Sequence, residues 1–184
     1  MNLYSHLATL GPVGHVKKAP GTAGSLVALA LAYALLQCPY GMGMLLLATL
    51  LVTALGVIVS HVYMQKTGST HDPKEIVIDE VAGMWLTITI WHFWIIAMTG
   101  SWEAAQETLA AVGANPIFLI TGFLWFRFFD ILKPWPISLV DRRVKGGIGV
   151  MLDDLLAALA AGTALYVVYL FWPLLTGDMA ESSV

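Results

Sequence analysis

The chain is short of charge and nearly without cysteine. Of its 184 residues only 11% are Asp, Glu, Lys or Arg, against about 25% in an ordinary soluble domain. The single cysteine, Cys38, excludes an intramolecular disulfide. The residues after it, Pro-Tyr-Gly-Met-Gly-Met, exclude a Cys-x5-Arg nucleophile loop. Nine Lys and Arg without a basic run leave no electrostatic footprint for nucleic acid, and no such partner is expected. The first 18 residues have no long apolar run behind an early positive cluster, so no cleavable leader is expected. At 184 residues, a single domain covering 1–184 is the default.

What the chain has in excess is apolar surface: 58% of residues are hydrophobic and the mean hydropathy is +0.78. A core of this size cannot hide that much, and lipid is its natural solvent. Five apolar segments stand out, at about Ser25–Gln37, Met42–Met64, Ile76–Met98, Pro116–Leu132 and Ile148–Leu175. The expected fold is therefore all-α, an integral membrane helical bundle of about five segments. Trp85, Trp91, Trp94, Trp125, Trp135 and Trp172 include several near segment ends, where interfacial aromatics sit. Ser101–Val112 reads as a short surface helix with Ser101 as N-cap and Glu103 in its first turn.

Lys and Arg alternate between loops. Lys17 and Lys18 precede the first segment; Lys66 and Lys74 lie between the second and third; Lys133, Arg142, Arg143 and Lys145 lie between the fourth and fifth. The remaining connections carry none, and only Arg127 lies inside a segment. With basic loops on the cytoplasmic side, the N-terminus is expected inside and the C-terminus outside.

This topology has a consequence for the acids. Asp79 and Glu80 lie just after the start of the third segment, Asp130 just before the end of the fourth, and Asp153 and Asp154 just after the start of the fifth. All five then reach one cytoplasmic depth. An ionised side chain within the membrane costs about 2.5–3.5 kcal/mol or more, and faces a partner. Arg127 and Lys133, three residues either side of Asp130, share its helical face but are too few to neutralise five carboxylates. A divalent cation is the economical remedy, and an all-oxygen donor set points to Mg²⁺ or Mn²⁺ rather than zinc. An acid network that only holds helices together, or an ion pathway, would also place acids here.

Several groups are candidates for binding phosphate. Pro20-Gly21-Thr22-Ala23-Gly24-Ser25 opens the first segment, where Thr22 or Ser25 is a potential cap and free amides meet the positive helix end. Gly146-Gly147-Ile148-Gly149 opens the fifth in the same way. Arg142 and Arg143 either bind phosphate or enforce orientation. His71 is a candidate general acid for a leaving alkoxide.

Taken in order, the blocks Pro20–Ser25, His71–Trp85 (HDPKEIVIDEVAGMW), Phe126–Pro136 (FRFFDILKPWP), Asp141-Arg142-Arg143 and Gly146–Asp154 (GGIGVMLDD) resemble the bacterial phosphatidylglycerophosphatase A family. The resemblance covers about Pro20 to Tyr169. It implies an all-helical, Mg²⁺-dependent enzyme of the bacterial cytoplasmic (inner) membrane, with its active site at the cytoplasmic face. It implies hydrolysis of the terminal phosphomonoester of phosphatidylglycerophosphate, a phospholipid substrate in the membrane, to phosphatidylglycerol and phosphate. The family's motif acids map onto Asp79, Glu80, Asp130, Asp153 and Asp154 as metal ligands. Asp79, Glu80, Asp130, Lys133 and Arg127 are the expected catalytic group, and Thr22, Ser25, Arg142, Arg143 and His71 the expected substrate contacts. Two rivals stay open. A phosphatidyl-transferring synthase would need an Asp-Gly motif that this chain lacks; an ion-coupled carrier would place its acids nearer the midplane.

Overall fold

The computed structural model describes residues 3–69, 73–113 and 115–176, and its described residues form helices and connecting turns without a strand. Eight α-helices follow one another: α1 (Leu3–Thr9), α2 (Pro20–Leu36), α3 (Gly41–Thr67), α4 (Ile78–Thr99), α5 (Trp102–Thr108), α6 (Pro116–Leu132), α7 (Ile137–Arg143) and α8 (Gly146–Thr176). Each of the five apolar segments becomes a helix. α1, a 3-10 turn at Val13–His15 and α7 are elements the apolar pattern does not announce. They are short and lie among polar residues, so no long hydrophobic run marks them.

Three helices, α3, α4 and α8, are long and apolar enough to cross a membrane. α5 and α6 qualify only when taken together as one broken or re-entrant pair. α2 has 17 residues. At 1.5 Å per residue this is about 25 Å, short of the roughly 30 Å hydrocarbon layer. The outer face of α3 exposes Leu47, Leu50, Leu51, Leu55 and Ile58, an apolar surface suited to lipid.

α4 is the hub, packing on α8, α3 and α2. Two glycines allow the α4–α8 approach. A Cβ on Gly83 would stand 2.5 Å from the Phe126 ring and 3.3 Å from the Asp154 carbonyl oxygen; one on Gly162 would stand 2.7 Å from the Thr87 carbonyl oxygen. Small residues at a helix seam let backbones come close in lipid. α2 is pinned to α4 by the Trp85 indole N–H, which donates to the Ala28 carbonyl at 2.8 Å. Trp85 and Trp91 are therefore core residues rather than interfacial ones, 7% and 1% exposed, whereas Trp135 is 79% exposed. A tryptophan's place along an apolar run does not tell which side of its helix faces the bundle.

α5 starts as expected: the Ser101 hydroxyl accepts from the Ala104 amide at 3.2 Å, and Glu103 lies in the first turn. α2 does not. It begins at Pro20 behind Ala19, whose backbone is left-handed (φ 51°), and no side chain caps it. Pro at the first helical position suits this start, since its missing N–H would have had no partner. Ser25 lies a full turn inside and donates back to the Gly21 carbonyl at 2.9 Å.

Candidate active site

One end of the bundle gathers the starts of α2, α4 and α8 and the end of α6. α4 contributes Asp79 and Glu80 in its first turn, where the helix dipole favours negative charge. α8 contributes Asp153 and Asp154, and α6 Arg127 and Asp130. One carboxylate oxygen each from Asp79, Glu80 and Asp154 lies within 4.8 Å of the other two. Asp79 and Asp154 are each 4% exposed. The five acids from three helices come together at this end of the bundle.

The five do not play one part. Asp130 is tied to Arg127, its Oδ2 at 2.6 Å from Nη1; the same nitrogen lies 3.8 Å from Glu80 Oε1 and 3.4 Å from the Ser25 hydroxyl. Asp153 is tied to Lys133, which also reaches Asp141 at 2.6 Å. Lys133 thus clamps α7 to α8. Asp141 has no place among the expected site residues. The signal for it was its place in the Asp141-Arg142-Arg143 block, and the helical turn of α7 that brings Asp141 back to Lys133 was not visible in the sequence. Burial alone would lower the Lys133 pKa, but hydrogen bonds from its ammonium to Asp141 and Asp153 outweigh that and hold it above the usual lysine range. The same bond holds the Asp141 carboxyl below its usual range.

Six carboxylates here face two cations. Asp79 Oδ1, Glu80 Oε2, Asp153 Oδ1 and Asp154 Oδ2 are buried with no hydrogen-bond partner, as is Arg127 Nε. Buried polar atoms are ordinarily satisfied, so this donor set fits a divalent cation among Asp79, Glu80 and Asp154. About 2.1 Å ligand distances allow oxygens around one small ion to stand up to roughly 4.2 Å apart, near the observed spacing.

The other expected contacts fare unequally. Ser25 joins the cluster through Arg127, and Thr22 lies half-buried in the adjoining first turn of α2. Arg142 and Arg143 stand exposed at the end of α7, with Arg142 Nε donating to the Ser138 carbonyl at 2.9 Å; neither joins the cluster. His71 lies outside the described residues. The Gly146–Gly149 run is not an open cradle. A Cβ on Gly147 would overlap the Val57 carbonyl oxygen and one on Gly149 the Val144 carbonyl oxygen, so close packing accounts for both glycines.

The family model of phosphatidylglycerophosphatase A matches residues 6–169. The chain belongs to that family. Phosphatidylglycerophosphatase A of Escherichia coli strain K12 is 34% identical over 155 residues, 84% of this chain and 77% of its own. Phosphatidylglycerophosphatase A of Haemophilus influenzae is 32% identical over 170 residues, 92% of this chain and 90% of its own. A Bacteroides thetaiotaomicron relative, 30% identical over 148 residues and 76% of each chain, is provisionally named a phosphatidylinositol-3-phosphatase. No solved structure matches the chain. Membership of the phosphatidylglycerophosphatase A family makes this chain an enzyme, a lipid phosphatase, and the acid–base cluster is its candidate active site.

Proposed function

We propose that the protein hydrolyses the terminal phosphomonoester of phosphatidylglycerophosphate to phosphatidylglycerol and phosphate, with Mg²⁺ as cofactor. The reaction takes place at the cytoplasmic face of the bacterial inner membrane, and residues 1–184 form one membrane domain. The observation that carries this reading is the meeting of Asp79, Glu80 and Asp154 with buried, unpartnered oxygens, in a chain of this family. The five-span topology with the N-terminus inside belongs to the same proposal, with α2 and α6 as its short spans.

Asp79, Glu80 and Asp154 would hold the ion. When bound, it supplies polarisation of a phosphoryl oxygen and a water of lowered pKa. The protein's own residues do the rest. Asp130 and Glu80 orient the Arg127 guanidinium by its Nη1, which leaves the buried Nε–H as a donor for a phosphoryl oxygen. Asp141 and Asp153 hold the Lys133 ammonium protonated at the cluster's edge, where it offsets the charge that gathers on the transferred group. Arg142 and Arg143, exposed at the end of α7, would attract an anionic headgroup at longer range. Attack by water on phosphorus breaks the bond to the glycerol oxygen, and no covalent enzyme intermediate is required.

Phosphate release is measured from phosphatidylglycerophosphate in mixed micelles, with Mg²⁺ and with a chelator, for the wild type and the five acid-to-amide variants. Phosphatidylinositol 3-phosphate serves as a competing headgroup, and CDP-diacylglycerol is offered to detect CMP release. Chelator-insensitive turnover would overturn the metal assignment. Normal turnover in Asp130→Asn and Asp153→Asn would end the site model.

A further inference from the structure

A groove of about 350 Å³ runs between α2 and α6, walled by Leu26, Ala30 and Tyr33 on one side and by Pro116, Leu119 and Ile120 on the other. Its walls are apolar and open to the bundle's outer surface: Leu26 is 50%, Tyr33 42% and Ile120 49% exposed. Both walls lead to the active site. With 3.6 residues per turn, Thr22, Leu26, Leu29, Ala30 and Tyr33 form one stripe on α2. Pro116, Leu119, Ile120, Phe123, Arg127 and Asp130 form one stripe on α6 by the same spacing. Each stripe is apolar along the groove and polar at the site. The two helices meet at the polar end, where Ser25 Oγ, beside the α2 stripe, lies 3.4 Å from Arg127 Nη1. A ligand aligned with both stripes has a charged head among Arg127 and its acids, and a hydrocarbon tail along α2 and α6.

We propose that the α2–α6 groove seats an acyl chain of the lipid substrate, holding its headgroup phosphate at the Arg127 end, and that Ala30 and Tyr33 set how the chain is accommodated. The occupant follows from continuity with the site: a phosphomonoester lipid has an anionic head for the Arg127 end and hydrocarbon for the apolar walls of the groove. This rests on the phosphatidylglycerophosphate reading above.

The full chain is assayed in mixed micelles with dioleoyl and dihexanoyl phosphatidylglycerophosphate. Ala30→Trp, which fills the groove, is expected to lower the dioleoyl-to-dihexanoyl ratio of kcat/KM by about tenfold, chiefly through KM, a magnitude ordinary for discrimination in an apolar pocket. Tyr33→Ala, which opens the far end, is expected to raise it. Equal loss on both lipids, or no change in the ratio, would overturn the proposal. Equal loss accompanied by a shift from dimer to monomer in detergent would assign the groove to a second copy of the chain instead. Ile120→Trp, on the opposite wall, replaces Ala30→Trp if the latter shows no melting transition, and if both fail to fold the Tyr33→Ala ratio decides. If the wild type releases phosphate from neither lipid, the functional reading fails separately. The groove is then judged by photocrosslinking with phosphatidylglycerol carrying a mid-chain diazirine: labelled α2 and α6 peptides support it, and label spread evenly over the outer helices overturns it.

Discussion

Gly21 of α2 lies directly against the carboxylate of Glu80 on α4; a Cβ there would overlap Oε1 and stand 3.3 Å from Arg127 Nη1. The backbone at Gly21 is helical, so alanine is conformationally welcome and favours the helix by roughly 1 kcal/mol. The obstacle is the end of a flexible side chain, which can swing aside. Gly21→Ala is therefore expected to melt at or near the wild-type temperature while phosphate release falls at least about tenfold, because Glu80 leaves its place. A calorimetric scan beside the activity assay checks the separation. A loss of stability with unchanged activity would show that Glu80 does not need that position.

Asp154→Asn removes one carboxylate from a group of three acids, of which Asp79 and Asp154 are buried and Glu80 half-buried. Without metal, relief of like-charge repulsion is expected to raise the melting temperature. With Mg²⁺, the wild type gains stability by linkage and the variant gains little, so the order of the two narrows or inverts. Melting curves across a Mg²⁺ titration measure this. A metal-induced shift equal in both proteins would remove Asp154 from the ligand set.

The Lys133 clamp is asymmetric. Its partner Asp153 has a side chain only 5% exposed, whereas that of Asp141 is 39% exposed. Lys133→Ala leaves Asp153 buried with a lost partner, a change that typically costs about 3–5 kcal/mol. Asp141→Asn costs much less, since water solvates what remains. Chemical denaturation in detergent should rank them in that order, and equal losses would contradict the clamp.

The pH dependence of that clamp has a definite sign. Hydrogen bonding to Lys133 depresses the folded-state pKa of Asp141, so its contribution is present above the ordinary Asp value of about 3.9 and is lost as pH falls through the depressed value. The Lys133 pKa is raised, so its contribution is complete below about 10.5 and is lost as pH climbs through the raised value. Asp141→Asn is expected to flatten the acid limb of the stability profile below about pH 4. Identical acid limbs in wild type and variant would refute the pairing.

Topology is tested separately. Reporter fusions at Ser69, after α3, and at the C-terminus, after α8, should fall on opposite sides of the membrane, with Ser69 cytoplasmic. Both on one side would exclude the five-span arrangement.

Much of the site was legible because hydropathy and charge act on every segment independently of its neighbours. An acid inside an apolar run is costly wherever the run packs, so Asp79, Glu80, Asp130, Asp153 and Asp154 stood out before any contact was known. Alternating Lys and Arg predict one level for them, and the ordered motifs point to the family. Tertiary structure alone decided their division of labour. Which acid faces a cation and which faces two other acids depends on helix rotation and on close approaches such as Gly21 to Glu80 and Gly83 to Phe126. Those are set by packing between residues distant in the chain. The same holds for the tryptophans, of which Trp85 and Trp91 turn into the core and Trp135 stays exposed according to helix face. It holds also for Asp141, which a single turn of helix brought to Lys133. Local chemistry along the chain determined that charge must gather at one end of a membrane bundle; three-dimensional packing determined that Asp79, Glu80 and Asp154 meet there while Asp130 and Asp153 hold Arg127 and Lys133.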